Sequence, residues 1–125
     1  MKTNFITLFM ILGFSMVCCA QTLANTKWSG EANIPNKEAI VLEFRNVAAS
    51  ISVKGDVVEY MWYKQDGNKL ILAKYWGGSP CKADEHIEAH LTFEMTKDRL
   101  VLHVAEDKCA ERGKSLDGLV FTRIK

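Results

Sequence analysis

Between residues 23 and 125 the sequence alternates apolar and polar residues in short runs separated by turn-forming residues. Such alternation is typical of β-strands, because successive side chains point to opposite faces. About eight short strands in about a hundred residues can protect their sheet edges by closing into a barrel or by stacking two sheets. Short turn signals, such as Gly55-Asp56 and Asp66-Gly67-Asn68, favour consecutive hairpins. We therefore predict an all-β fold, a single antiparallel up-and-down barrel of about eight strands.

The predicted strands differ in how regularly their residues alternate. The run at residues 86–96 is the most regular, with Leu91 and Phe93 facing inward. Residues 106–115 are predicted as an irregular link, and the polar segment 105–114 has room for a single helical turn. The predicted strands cover residues 25–34, 39–45, 47–54, 57–65, 69–75, 86–96, 99–105 and 116–124.

Residues 1–20 have the features of a secretory signal peptide and are not expected to belong to the fold. Lys2 is followed by an apolar run at residues 5–17, and small residues precede a cleavage site after Ala20. The alternative is a bacterial lipoprotein with lipid on Cys18 or Cys19, although the residues before each cysteine fit the usual lipoprotein signal poorly. We predict an exported domain of residues 21–125, periplasmic or extracellular, without a membrane span.

The charge balance excludes some classes of partner. The whole chain has 16 basic and 15 acidic residues, and removal of Lys2 with the leader leaves the two in balance. A nucleic-acid-binding domain usually shows an excess of basic residues, which is lacking here. A polyanion or a membrane surface is equally unsupported as a partner.

Two cysteines, Cys81 and Cys109, remain after removal of the leader. In an exported protein such a pair is expected to form a disulfide. The alternatives are two free buried thiols or a metal-binding pair, but no histidine or cysteine lies at zinc-finger spacing from either residue. We therefore predict a disulfide between Cys81 and Cys109, and no cofactor.

Residues near both ends of the domain resemble those of a known family. The residues concerned are Leu23-x-x-Thr26-x-Trp28, Asp107-x-Cys109-x-x-Arg112, Leu116-x-Gly118 and Phe121-x-Arg123. Together they are similar to the lipocalin-like domains of exported bacterial proteins. The resemblance implies that Trp28 packs near the closed end of a barrel. It also implies that a cation lies over the indole, either Arg123 or, as the alternative, Arg112.

Aromatic residues are concentrated in two neighbouring predicted strands and the loop after them. Tyr60 and Trp62 share one strand face, whereas Tyr63 lies on the other. The cluster indicates either a binding mouth for an apolar ligand or ordinary barrel packing. On the binding interpretation, Tyr60, Trp62, Phe93 and Leu102 would line the interior, and some rings would lie at the rim beside the loop after the second strand. The predicted ligand-binding residues are Tyr60, Trp62, Tyr75, Trp76, Phe93 and Leu102.

Histidines and carboxylates on one face of the strand at residues 86–96 are potential metal ligands. His86, Glu88 and His90 share that face, and a two-residue turn at Lys97-Asp98 would put Thr92 opposite His103. The same register would put Glu88 opposite Asp107. Because this is the polar face of the strand, we expect a solvated surface rather than a metal site.

The sequence favours a binding module over an enzyme. It shows no nucleophile next to a histidine, no phosphate-binding loop and no cysteine left free after pairing. Our first hypothesis is a carrier of a small apolar molecule. The alternative is a protein inhibitor or partner-binding barrel that acts through the loop at residues 76–85, and a zinc enzyme on the histidine face is a distant third. A hollow interior would favour the first hypothesis.

Overall fold

The computed structural model describes residues 21–32, 37–78, 81 and 87–125. The predicted signal peptide, residues 1–20, lies outside them. Within the described residues the chain forms eight strands and one helix. These are β1 (Thr26–Glu31), β2 (Ala39–Phe44), β3 (Ala48–Val53), β4 (Asp56–Asp66), β5 (Lys69–Gly77), β6 (Glu88–Met95), β7 (Arg99–Asp107), α1 (Ala110–Leu116) and β8 (Val120–Ile124).

The strands form one closed barrel in which each strand pairs antiparallel with the next. The last strand, β8, also pairs with β1, with Lys27 opposite Ile124 and Ser29 opposite Thr122. This closure leaves no unpaired sheet edge. The predicted all-β, up-and-down barrel is confirmed, and it is compatible with a lipocalin-like fold.

One end of the barrel, here called the closed end, is plugged by the segment that precedes β1. Leu23 is fully buried there, and its backbone N–H donates to Oε1 of Gln65 at 2.9 Å. Behind it, Nε1 of the buried Trp28 donates to Oγ1 of Thr26 at 2.8 Å. The Thr26 hydroxyl in turn donates to the Leu23 carbonyl at 2.5 Å. These hydrogen bonds offset the desolvation cost of burying the polar groups.

The core fills the barrel from the closed end to its middle. Gly30 makes room for the ring of Phe121, because a Cβ at position 30 would lie 2.7 Å from Cδ1 of that ring. Burial of large apolar side chains is the main stabilising term of such a domain. The largest fully buried side chains are Trp28, Phe44, Phe121, Leu23, Leu42, Met61, Leu70, Leu72, Leu100 and Leu102.

The other end, here called the open end, carries the β3–β4 turn, Cys81 and helix α1. Lys54 and Gly55 both have positive φ, 52° and 85°, as a tight hairpin turn between twisted strands requires. The sulfur atoms of Cys81 and Cys109 are bonded, with their Cα atoms 5.7 Å apart. The predicted disulfide is therefore present, and it fixes the start of α1 to the connection between β5 and β6.

Helix α1 corrects the prediction for the last part of the chain. The sequence predicts an irregular link at residues 106–115 and a strand from residue 116, but Leu116 ends a helix and β8 begins at Val120. Cys109, Arg112 and Leu116 are buried and succeed one another at helical spacing. One anchored face thus stabilises a helix of seven residues, which is too short to be stable alone.

A β-bulge corrects the predicted register between β6 and β7. Thr92 lies opposite His103 as predicted, but the register shifts between His90 and Leu91. Beyond the shift, Ala89 rather than Glu88 lies opposite Asp107. Since an extra residue in a strand reverses the facing of everything beyond it, Asp107 turns inward instead of toward solvent.

Candidate binding cavity

A cavity of about 650 Å³ lies at the open end, between the strands and helix α1. The inward-facing residues of β2 and β3 are short or β-branched here, so they do not fill the space that large side chains occupy nearer the closed end. This volume is within the range of about 300–1,000 Å³ that small-molecule sites occupy. Its apolar wall consists of Ala32, Ile40, Ile51, Val53, Val57, Val58, Trp76 and Leu116.

A buried ion pair lies beneath the cavity. Nε and Nη2 of Arg112 donate to the two carboxylate oxygens of Asp107 at 2.8 and 2.9 Å. Nη2 also donates to the Ile87 carbonyl at 2.9 Å, and the backbone N–H of Cys109 donates to the Asp107 carboxylate at 2.8 Å. The Arg112 and Asp107 side chains are only 3 % and 2 % exposed. Paired, bidentate geometry is what makes such a burial of charge tolerable.

Two buried polar atoms of residues that line the cavity have no hydrogen-bond partner within the part of the chain that the structure describes. They are Nη1 of Arg112 and Oε1 of Glu59. Glu59 is 5 % exposed and Arg112 4 % exposed, and both line the cavity. A buried polar atom without a partner costs stability, so each of these two atoms is unfavourable where it lies.

Lys74 adds a fourth buried charged side chain at this end of the barrel. Its Nζ donates to the backbone carbonyl of Cys81 at 2.6 Å. In the barrel register it lies opposite Met61, on the inward side of β5. Lys74 therefore holds the disulfide-bearing connection against the barrel wall.

The six residues predicted to line a binding site are dispersed in the structure. Phe93 and Leu102 are buried in the core, away from the cavity wall. Trp62 is 49 % exposed on the outer face of β4, and Tyr60 lies on the same face, so their predicted interior position is wrong. Trp76 alone of the six lines the cavity, at its rim, where it is 54 % exposed.

The outward-facing rings of β4 and β5 pack against one another and form an aromatic cluster of Tyr60, Trp62, Tyr75 and Trp76. The centroids of Trp62 and Tyr75 are 4.5 Å apart, and those of Tyr60 and Trp76 are 5.5 Å apart. The register shifts at this point, with Tyr60 opposite Trp76 but Met61 opposite Lys74. Tyr75 is thus the extra residue of a bulge, which brings two consecutive rings to the outer face.

The two cations considered for Trp28 have different roles. Cζ of Arg123 lies 5.2 Å from the centroid of the Trp28 ring, within cation–π distance. The alternative, Arg112, is committed to Asp107 at the other end of the barrel. The structure therefore assigns the cation–π partner to Arg123.

The histidine face is solvated where the structure describes it. Nε2 of His90 lies 3.0 Å from Oε2 of Glu88, and both side chains are exposed. His103 faces Glu94 at 3.9 Å, and His86 lies outside the described residues. Among residues 21–32, 37–78, 81 and 87–125 there is no group of three or more His, Cys, Asp or Glu placed to hold a metal ion.

A second depression, of about 550 Å³, lies at the closed end around Arg123. Its wall includes Lys27, Arg45, Lys97 and Asp98, whose charges are exposed to solvent or partly so. Solvent already satisfies such groups. The cavity at the open end is the better candidate for a small apolar molecule, because its walls are mainly apolar.

Sequence reasoning missed Glu59 and Lys74. The sequence contains a signal for both residues. Glu59 lies two positions before the buried Met61, and Lys74 lies two positions after the buried Leu72, so each falls on the inward face of its strand. A charged residue at an inward strand position is rarely buried without a specific partner. That rule would have directed attention to the inner face of β4 and β5.

Comparison with known proteins adds no assignment. No family model, curated protein or solved structure matches this chain.

Within the described part of the chain, no helix has the length and hydropathy needed to cross a membrane. The disulfide is compatible with an exported location.

Proposed function

We propose that this protein is an exported, lipocalin-like binding module that carries a small apolar molecule in the cavity at the open end. The observation that supports this most is the cavity itself, a cleft of about 650 Å³ that β2, β3, β4 and α1 border with mainly apolar walls and that opens to solvent. A packed core at the closed end and a hollow open end together make a cup. The leader-like residues 1–20 and the disulfide support an exported location.

Titration with an apolar fluorescent probe tests the proposal. We expect saturable binding of one probe per chain and a change in the emission of Trp76, whose ring stands at the rim. Ile51→Trp would fill the cavity and weaken binding by about tenfold or more, a loss of about 1.4 kcal/mol of binding free energy. Thermal unfolding of the variant would show that it remains folded.

Trp62→Ala is the matched control, because it removes a ring of the outer face and leaves the cavity wall unchanged. Its affinity for the probe should equal that of the unmodified protein. Absence of saturable binding in folded protein would refute the proposal. The proposal would also be refuted if the Ile51→Trp variant bound the probe as tightly as the unmodified protein does.

A second candidate, binding of a protein partner, is favoured by one observation, the exposed aromatic cluster. Trp62 and Trp76 are about half exposed, and aromatic side chains are enriched in protein interfaces. Trp76 was predicted to begin a loop at residues 76–85, but it lies in β5, which ends at Gly77. Most of the predicted loop lies outside the described residues. Protection of Trp62 from a water-soluble quencher by the partner would support this function.

A further inference from the structure

We propose that the depression at the closed end of the barrel binds the phosphate group of a phosphate ester. It lies at the opposite end from the candidate cavity, so the proposal goes beyond the carrier function and does not depend on it. Three features of the depression support it: the balance of charges in its wall, one arginine that is held in position, and the size of the space between these groups.

The fold separates charges that nearly balance in the sequence. The whole chain has a net charge of only +1, which by itself gives no sign of an anionic partner. The wall of the open-end cavity includes three acidic residues and one basic residue, whereas the wall of the closed-end depression includes five basic residues and two acidic ones. A surplus of one charge around a concave space attracts ions of the opposite charge. The charged residues of the depression are Lys27, Arg45, Lys97, Arg123 and Lys125, with Glu43 and Asp98.

Arg123 is held in position by two contacts. Its guanidinium carbon lies 5.2 Å from the centroid of the Trp28 ring, and its Nη1 donates to the Lys97 carbonyl at 3.1 Å. Stacking uses the face of the guanidinium, and the other N–H groups along its edge have no acceptor among the described residues. A planar guanidinium fork matches two oxygens of a phosphate group. Because the side chain is already ordered, less conformational freedom is lost on binding.

The two acidic residues reduce the surplus of positive charge without removing it. The carboxylate of Glu43 is shared by two cations, since it lies 3.9 Å from Nζ of Lys27 and 3.6 Å from Nε of Arg45. Ion pairs between described residues do not involve Lys97 or Arg123. With both acids counted, the wall keeps three more basic than acidic residues. Such a surplus favours a phosphate ester, with a charge of about −1.5 to −2 near pH 7, over a carboxylate with a single charge.

The depression has room for an organic group beside the phosphate. Its volume is about 550 Å³, which is within the range of about 300–1,000 Å³ that small-molecule sites occupy. Ile124 lines it and is 37 % exposed, and the methylene stems of lysine and arginine side chains add apolar surface. The wall therefore offers both cations for a phosphate group and apolar contacts for the group that carries it.

A titration of the whole chain, with the Cys81–Cys109 disulfide intact, tests the proposal. Phenyl phosphate, benzoate and chloride are compared at constant ionic strength, and binding is followed by the NMR shifts of backbone amides. Phenyl phosphate should saturate shifts around Lys97 and Arg123. Benzoate, which has the same ring but one charge, should bind about fivefold more weakly, and chloride should give no saturable shift. Equal affinities for phenyl phosphate and benzoate would overturn the proposal.

Lys97→Met tests the depression itself, because it removes one charge without changing a side chain that contacts Trp28. It should weaken phenyl phosphate binding by about fivefold, the upper end for one exposed ion pair. Lys114→Met removes the same charge from α1 at the other end of the barrel and is the matched control, with unchanged affinity expected. Both lysines are exposed, and thermal unfolding would show that both variants remain folded. Equal losses in the two variants would mean that net charge attracts the anion, which would overturn the proposal.

Sedimentation with lipid vesicles distinguishes the two sources of a phosphate ester. Vesicles of phosphatidylcholine alone are compared with vesicles that contain phosphatidylglycerol in equal proportion. Binding to the mixed vesicles alone, weakened by Lys97→Met, would identify a lipid headgroup, whereas binding of phenyl phosphate without vesicle binding would identify a soluble ester. If phenyl phosphate does not bind saturably, the proposal is wrong, and the carrier function, which concerns the other end of the barrel, still stands.

Discussion

Arg123 and Trp28 lie directly opposite each other where the last strand closes on the first. The guanidinium carbon is 5.2 Å from the centroid of the indole ring, and Nη1 of Arg123 also donates to the Lys97 carbonyl at 3.1 Å. The contact joins β1, β8 and the β6–β7 turn at one point. It therefore stabilises the seam on which barrel closure depends.

Trp28→Ala should destabilise the domain severely. The ring is fully buried and its Nε1 hydrogen bond to Thr26 would be lost. Large-to-small substitutions of this kind cost about 3–5 kcal/mol. Urea unfolding followed by far-UV circular dichroism gives the free energy of unfolding, and a loss below about 1 kcal/mol would mean that the ring is not a core residue.

Arg123→Met should cost about 0.5–2 kcal/mol, the range of cation–π contacts. Methionine keeps the apolar stem but removes the charge over the indole. Lys125→Met is the matched control, since it removes a nearby positive charge at the same end of the chain without a described contact to Trp28. Equal effects of the two substitutions would show that general charge, not the ring contact, is responsible.

Removal of the Cys81–Cys109 disulfide by a double substitution to alanine should lower the free energy of unfolding by about 3 kcal/mol. The two residues are 28 positions apart, and their link closes a loop that includes β6 and β7. Urea unfolding measures the effect. Mass spectrometry of the exported protein provides the check, because two unmodified thiols there would contradict the pairing.

The alternation of residues was sufficient to predict the barrel and most inward positions. Leu91 and Leu102 face the core as predicted, because strand facing depends only on a local two-residue period. Asp107 was assigned to the wrong face because one bulge residue in β7 reverses the facing of the residues beyond it. Nothing in the sequence of β7 marks that bulge. The sequence left room for only a single helical turn at residues 105–114, whereas α1 extends to Leu116. Its full length was not predicted because its stability comes from the disulfide and from packing rather than from a long helical period.

The candidate site was only partly predictable. The two-residue alternation of strand side chains correctly placed Tyr60 and Trp62 on one face of β4, but it does not say which face lies inside the barrel. The opposite face carries Met61 and Tyr63 together with the charged Glu59. Because of that charge, the face was the less obvious choice for the barrel interior. Glu59 lies where the barrel has its cavity. Such a cavity depends on how eight strands and a helix meet, which no local pattern encodes.

Asp107→Asn should destabilise the protein by about 3–5 kcal/mol, because it leaves the buried Arg112 without a counterion. The pair is almost completely buried, and Nη2 and Nε of Arg112 both depend on the carboxylate. Glu106→Gln, which removes a carboxylate from the neighbouring exposed position, should change stability by less than about 0.5 kcal/mol. A larger cost for Glu106→Gln than for Asp107→Asn would contradict the bulged register of β7.

Tyr63 should make stability depend on pH in the alkaline range. Burial against the core raises the pKa of its phenol above the ordinary value of 10.0. The hydroxyl donates to the Arg45 carbonyl, and the ring packs edge-on against Phe44 with centroids 5.1 Å apart. Because the folded state favours the protonated phenol, its contribution is complete below the unfolded pKa of about 10 and is lost as the pH rises through the folded value.

Tyr63→Phe removes both the hydrogen bond and this titration. Near pH 8 the variant should be less stable than the unmodified protein by about 1 kcal/mol, the usual net value of a hydrogen bond. Above about pH 11 the difference should shrink, since a partly buried phenolate then destabilises the unmodified protein but not the variant. Urea unfolding at both pH values measures the two differences, with Tyr75→Phe on the outer face as the control. An ultraviolet absorbance titration identifies the phenol directly: if the component missing from Tyr63→Phe ionises at or below pH 10 in the folded protein, Tyr63 is not shielded by the core.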